Sequence, residues 1–328
     1  MAKITVINNT VEFKNKNSNT WIKIAKGSSQ QIVRGDSIRK TTASGSISVV
    51  CNNGVSGQDL FTVNQSFRLS DICPINPPQS TPNNAIPVII TPRSTFLISN
   101  QPIIRWNNAI GATSYTIQLI DQDANEIWKK DVNSSDVCQG GICETHYSGN
   151  SLETNQIYKL IINTNTGRST QEIAVPNMGF QVIDAARVSE INQKIEDTKS
   201  LGLSNTEQAL KISEIYEQDN LIAEAILILE NLSDTDKTSD IYCKLGQFYY
   251  YYLDLTSEGE ELLQTAIDKA SDEKQLAVAQ LELAEVKIIF GQKAEAKTLL
   301  EQSLNNYTLL AEQDDIDYVN QKIQQLSP

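Results

Sequence analysis

Apolar residues alternate with polar ones through about residue 180 and then shift to helical spacing, so the chain predicts β structure followed by helices. Ile4, Val6, Val11 and Phe13 alternate, and Trp21-Ile-Lys-Ile follows a polar stretch of Asn, Ser and Lys. Ile47-Ser-Val-Val-Cys51 then leads into the turn residues Asn52-Asn53-Gly54. These features predict a small all-β module over residues 1–73. Residues 74–90 are rich in Pro and Asn, which biases them to extended conformations and predicts a semi-rigid linker. A second β module is expected over 91–182. It has a strand with an anchoring Trp at Pro102-Ile-Ile-Arg-Trp106, a turn at Gly111-Ala112, and an alternating strand from Tyr115 to Leu119, with Ile127-Trp128 continuing the hairpin.

From Ile183 the apolar positions Ile183, Ala186, Val188, Ile191 and Ile195 form a helical stripe that ends near Gly202, and Ser204 or Asn205 can cap the next helix. Between Gln208 and Leu304 a pattern recurs about every 34 residues, the mark of stacked helix pairs that cannot cover their apolar faces alone. Its first copy uses Ile212, Ser213, Tyr216, Asn220, Ala225, Leu229 and Leu232. The second uses Leu245, Gly246, Tyr249 and Leu253, then Gly259, Leu263 and Ala266, with one extra residue assigned to the turn. Leu283, Ala284, Gly291, Ala296, Leu300 and Ser303 form the third. The stripe from Ile183 is expected to cap the first face of this array over 183–328, and Ile316, Val319 and Ile323 the last. An ordinary helical bundle is the competing reading.

The repeated small residue after Leu, the Tyr three places on, the Gly-like turn and the Ala on the return helix resemble the tetratricopeptide repeat, with departures at Asn220 and Lys287. Gly27, Gly35-Asp36, Ile38-Arg39 and Thr41-Thr42, placed after a Trp strand and before Asn53-Gly54, resemble the FecR-like domain, with Lys40 where Thr usually stands. That resemblance implies a non-catalytic β structure of bacterial envelope proteins. Gly35-Asp36 reads as a turn, with Asp36 accepting backbone hydrogen bonds. In the second module, Leu152 six residues before Tyr158, then Leu160 and Ile162, resembles the corner of a fibronectin type III domain, with Thr154-Asn155 replacing the usual Pro-Gly. The expected fold class is therefore multidomain α+β: two N-terminal all-β modules and a C-terminal all-α array.

The chain of 328 residues carries a net charge of -13. The charge is uneven: residues 183–328 hold 28 acidic and 12 basic side chains, a net of -16. Phosphates are repelled by such a surface, so no nucleic-acid partner is expected. No 18-residue apolar span suggests a membrane helix, and no signal peptide is visible at the start. The cysteines point elsewhere. Cys51 with Cys73, and Cys138 with Cys143, give each β module its own even pair, the pattern of disulfides in an oxidising compartment. Cys243 is left over on a repeat helix. A periplasmic or other extracytoplasmic location with a leader upstream, or a cytoplasmic one with reduced thiols, both remain open. Neither pair has Cys-x-x-Cys spacing and His146 is the single histidine, so no metal and no cofactor are expected.

Phosphate-cradling glycine motifs are absent, and Glu260-Glu261 and Asp314-Asp315 lie on apparently exposed helix, away from apolar residues that would raise a carboxyl pKa. No catalytic residues are assigned. The expectation is a non-catalytic scaffold or adaptor of a bacterial cell envelope; a signalling component and a carbohydrate-binding protein or hydrolase are the alternatives. The tetratricopeptide resemblance implies a concave partner surface: Glu207, Leu210, Glu214 and Glu217 from the first copy, Cys243, Gln247, Tyr250 and Tyr251 from the second, and Leu281, Glu285, Ile288 and Ile289 from the third. An acidic lip beside an aromatic floor predicts a basic or amphipathic peptide as ligand, anchored by Tyr250.

Overall fold

A computed structural model describes residues 2–8, 11–15, 20–32, 36–41, 46–51, 56–58, 66–68, 73, 85–172 and 179–326. Strands fill the N-terminal part and helices the C-terminal part, as the change of period predicts. The chain divides into two compact units, residues 1–76 with 293–328, and residues 77–292. The turns expected at Gly35 and at Asn53-Gly54, Thr42, and residues 74–84 of the linker expected over 74–90 lie outside the described residues.

The first unit begins with eight strands: β1 (Ala2–Asn8), β2 (Val11–Lys14), β3 (Ile22–Ile24), β4 (Ser29–Ile32), β5 (Ser37–Lys40), β6 (Ser46–Cys51), β7 (Ser56–Gln58) and β8 (Ser66–Arg68). They form two antiparallel sheets, ordered β4-β1-β6-β7 and β3-β2-β5-β8. Alternation decides which side chains enter the core, because successive residues of a strand face opposite ways. Val6, Ile47 and Val49 are buried in the first sheet and Val11, Phe13, Ile38 and Phe67 in the second. On the other face of the second sheet Glu12 accepts from Arg39 at 2.7 Å, and the Arg39 guanidinium lies 4.1 Å from the centre of the Trp21 ring. Asp36 is buried. Cys51 and Cys73 form a disulfide with Cα atoms 5.7 Å apart.

In the second unit β9 (Ile89–Thr91), β10 (Phe96–Leu97), β11 (Ile103–Asn107), β12 (Ser114–Ile120), β13 (Glu126–Asn133), β14 (Cys138–Gln139), β15 (Ile142–His146), β16 (Ile157–Thr164) and β17 (Phe180–Val182) make two sheets, with a one-turn helix α1 (Ser134–Val137) between β13 and β14. Their orders are β14-β15-β11-β9 and β10-β17-β16-β12-β13. Trp106 and Ile104 of one sheet share a core with Tyr115, Ile117, Leu119, Leu160 and Ile162 of the other, which makes a β-sandwich. Tyr158 is buried, its hydroxyl accepts from the Glu153 N–H at 2.9 Å, and Asn155 takes the turn at φ 62°. Cys138 and Cys143 pair across β14 and β15 and are joined by a disulfide. Gly140 and Gly141, at φ 59° and 87°, form the two-residue turn that closes this hairpin, a conformation that excludes most side chains.

Helix α2 (Ala185–Lys199) is capped by the Asp184 carboxylate, and α3 (Asn205–Gln218) by a reciprocal pair between Ser204 and Glu207. Ile191 and Ile195 of α2 pack with Ile212 and Leu221, so α2 covers the first hairpin as expected of a cap. The hairpins continue with α4 (Ile222–Glu230), α5 (Ser239–Gln247), α6 (Thr256–Lys269) and α7 (Glu273–Ile289). The turns that follow α3, α5 and α7 each place one residue in left-handed backbone: Asn220 at φ 57°, Asp254 at 54° and Gly291 at 74°. In the first and third, the next N–H closes back on the carbonyl five residues earlier: Leu221 on Tyr216 at 2.8 Å and Gln292 on Lys287 at 2.9 Å. The second copy differs in one respect that the repeat alignment misplaced. Its extra residue is absorbed before the turn, in a π-helical segment Phe248–Tyr252 that continues α5, so Leu255 N–H reaches six residues back to Tyr249.

Small residues sit where helices approach most closely. A Cβ on Gly246 would lie 2.7 Å from Leu263 Cγ, and one on Gly259 would lie 2.7 Å from Tyr250 Cβ and 3.1 Å from the Gly246 carbonyl. Ala225, Ala266 and Ala284 are fully buried. The first unit holds the last two helices, α8 (Lys293–Leu310) and α9 (Gln313–Leu326). There Lys14 pairs with Asp314 and Arg68 with Asp315, and the Arg68 guanidinium lies 3.9 Å from the Tyr318 ring centre. Among the described residues no helix is long and apolar enough to cross a membrane.

Candidate functional site

The residues expected to line a concave surface fall into two sets. Glu207 is exposed, and Leu210, Glu214, Gln247, Tyr251, Ile288 and Ile289 are half-buried. Glu217, Cys243, Tyr250, Leu281 and Glu285 are buried. Glu207 serves the helix start: its Oε2 accepts from the Ser204 backbone, and the Ser204 hydrogen bonds hold its carboxyl below the usual range. Glu217 is an internal counter-ion, with Lys244 Nζ at 2.5 Å and the Tyr252 hydroxyl donating at 2.9 Å.

Tyr250 requires a correction. An anchor that a ligand can reach is excluded, because the side chain has no exposed surface and its hydroxyl donates to Glu282 at 2.7 Å. The physical cause is the π-helical turn, which re-phases the aromatic run, together with Gly259, whose missing side chain leaves room for the Tyr250 Cβ. Tyr251 is the half-buried member of the run and meets Tyr252 edge-on at 5.0 Å. His146 is exposed on β15. Among the described residues no cluster of His, Cys, Asp and Glu could hold a metal ion.

A different constellation appears where the sandwich meets the first two hairpins, inside the second unit. Val88 and Ile90 enter the apolar core of α4, α5 and the π-helical turn, and Ile142 packs against it from the disulfide-closed hairpin. Around this core, two buried arginines each reach a carboxylate from the helices. Arg93 reaches Asp254 at 3.0 Å in the second interhelical turn. Burial lowers the Arg93 pKa against the pull of Asp254, and burial raises that of Asp254 against the pull of Arg93. Arg105 of β11 donates to Glu230 at 2.6 Å, and the Tyr249 hydroxyl donates to the other Glu230 oxygen at 2.7 Å. Burial alone would lower the Arg105 pKa, but Glu230, Tyr249 and Glu144 together raise it.

The segment Thr95–Ile98 is strapped to the first turn and to α4. The Phe96 N–H donates to the Asn220 carbonyl at 2.8 Å, the Thr95 hydroxyl to the same carbonyl at 3.0 Å, and the Ile222 N–H to Thr95 Oγ1 at 2.9 Å. Glu224 Oε1 accepts from the Ile98 N–H at 2.9 Å. Sequence reading passed over these residues. The available signal was Glu224, a single carboxylate inside the apolar run of Ile222–Leu229.

No family model matches the chain, and no curated protein matches it. Solved structures with partial likeness exist. BtubC (BKLC) from P. vanneervenii is 15% identical with a TM-score of 0.35; the match covers 43% of this chain and 64% of that one. MamA is 18% identical with a TM-score of 0.29, over 43% of this chain and 91% of that one. The BSP domain of a biofilm-associated protein is 15% identical with a TM-score of 0.21, over 56% of this chain and 25% of that one. At these scores the likenesses carry no argument about family or activity.

Proposed function

We propose that this chain is a non-catalytic interaction scaffold of a bacterial cell envelope, binding a protein partner through its helical hairpins. The observation that carries this reading is the joint: a sandwich seated on stacked hairpins by an apolar core ringed with matched ion pairs. Such a joint holds a β module and a helical surface at fixed geometry, which is what an adaptor requires. The hairpins are read as tetratricopeptide-like, on their small-residue contacts and left-handed turns. The sandwich is read as fibronectin type III-like, on the Tyr158 corner. A FecR-like identity for the first module rests on its sequence signature. Two disulfides support an extracytoplasmic site of action.

The partner is proposed to be a basic or amphipathic segment meeting the acidic helical region near Glu207, Glu214 and Tyr251. Capture on the full-length protein followed by mass spectrometry identifies it. Association rates are then measured for Glu214→Lys and dissociation for Tyr251→Ala. Slower association in the first and faster dissociation in the second are expected, the charge effect shrinking as salt screens it. Folded variants that bind the identified partner like the parent overturn this surface.

A further inference from the structure

Glu224 places a carboxylate where the sandwich strap meets the first hairpin, and only half of it is satisfied. Oε1 accepts the Ile98 N–H, whereas Oε2 is buried with no hydrogen-bond partner. An ionised carboxylate with a buried, unpaired oxygen is costly, and protonation or hydration removes the cost. The cations of the joint and of α2 pair with other carboxylates: Arg187 and Lys194 of α2 with Asp219, Arg93 with Asp254, and Arg105 with Glu230. From α3 the group coupled to Glu224 is the Tyr216 hydroxyl, whose pKa rises chiefly by burial and further by the Glu224 charge. The strap itself, Ser94 to Ser99, carries no titratable side chain.

We infer that Glu224 is a proton-operated latch: protonated, it keeps the Thr95–Ile98 strap closed on the first hairpin, and ionised, it favours an open strap in which water reaches Oε2. The anion draws some support from the Ile98 N–H and from the backbone N–H of Glu224 itself, but burial outweighs both and raises the pKa to about 7. A closed joint is therefore favoured in acid and weakened as pH rises through neutrality. The inference is independent of which partner the hairpins bind, because it concerns contacts within the chain.

Hydrogen exchange of the full-length protein tests it, with protection compared after correction for the intrinsic pH dependence of exchange. Between pH 5.5 and 8.5, protection of peptides covering 93–98 should fall roughly 30-fold if opening restores an ordinary carboxyl pKa. At pH 8.5 the strap should exchange faster than Ser114–Ile120 in the sandwich core. In Glu224→Gln, which keeps an acceptor for Ile98 and cannot ionise, strap protection should not change with pH. As a second readout that needs no variant, the Ile98 amide resonance of the parent should titrate with a midpoint near 7. A parent strap whose protection is flat with pH, a strap that opens only together with Ser114–Ile120, a Gln variant that still loses protection, or an Ile98 resonance that does not titrate overturns the latch.

Discussion

Arg93 and Arg68 both hold a strand-rich module to helices by reaching an aspartate, yet their surroundings differ. The Arg93 side chain is 1% exposed and faces Asp254 at 11%, beside an apolar core. Arg68 is 16% exposed and faces Asp315 at 28%, and its neighbour Lys14 faces Asp314 at 51%. Buried charges must be matched because each is costly alone, so the first contact is specific and intolerant of change. Partly exposed charges keep some of their water, so the second is a weaker, salt-tuned contact. One chain thus joins β to helix in two ways, a fixed joint in the second unit and a softer clamp in the first.

The largest effect is expected at the fixed joint. Arg93→Ala leaves Asp254 buried without its counter-ion and should cost about 3–5 kcal/mol, read from denaturant unfolding. Removing both charges with Arg93→Met and Asp254→Asn, the second chosen because Asn tolerates the left-handed backbone at φ 54°, should recover part of the loss. A single variant as stable as the parent would place this pair with surface pairs and erase the contrast.

How much of this could be read from the residues differs between local and distant features. Each disulfide was legible because its cysteines lie within one β module, and Gly246, Gly259 and the buried alanines were legible because close helix packing requires small residues at fixed offsets. The joint was not. Arg93 and Asp254 are separated by 161 positions and Arg105 and Glu230 by 125, and no periodicity links residues that meet only after two modules dock. Tyr250 was misjudged for a local reason: one extra residue accommodated as a π-helical turn rotates every aromatic after Gln247, and a helical wheel with regular spacing cannot register it.

Glu224 sharpens the comparison, because its charge at the joint is unmatched. Its folded pKa is raised to about 7 from an ordinary value of 4.5, so between those values the folded chain holds a proton that the unfolded chain has released. Stability therefore falls as pH rises through this window and levels off above it. Relative to the parent, Glu224→Gln should be about 2–3 kcal/mol more stable at pH 8 than it is at pH 5. Unfolding curves at the two pH values check this; a constant difference would mean that the carboxylate is not held neutral.

Within the hairpins, fit rather than charge sets the cost. Gly259→Ala would bring a methyl group to 2.7 Å from Tyr250 Cβ and 3.1 Å from backbone atoms at Gly246 and Tyr250. Backbone cannot yield as a flexible side chain does, so about 1–3 kcal/mol should be lost even though alanine favours helix over glycine. An Ala variant with an unchanged or higher melting temperature would show that these helices can separate freely, contrary to the close packing at Gly246 and Gly259.

The smallest effect belongs to the clamp in the first unit. Arg68→Ala removes an ion pair with Asp315 and a cation over the Tyr318 ring, two partly exposed interactions worth up to about 1 kcal/mol each. A net loss of about 1 kcal/mol is expected at low salt, shrinking as salt screens the pair while leaving the contact with the ring. Arg68→Lys separates the two contributions. It keeps the charge but loses the planar group that stacks on Tyr318, so it should retain the salt dependence of the parent with only part of its stability. Salt sensitivity of the Arg93→Ala loss at the joint provides the counter-test: little is expected, since screening scarcely reaches a side chain that is 1% exposed. If the two losses respond to salt alike, the distinction between fixed joint and soft clamp fails.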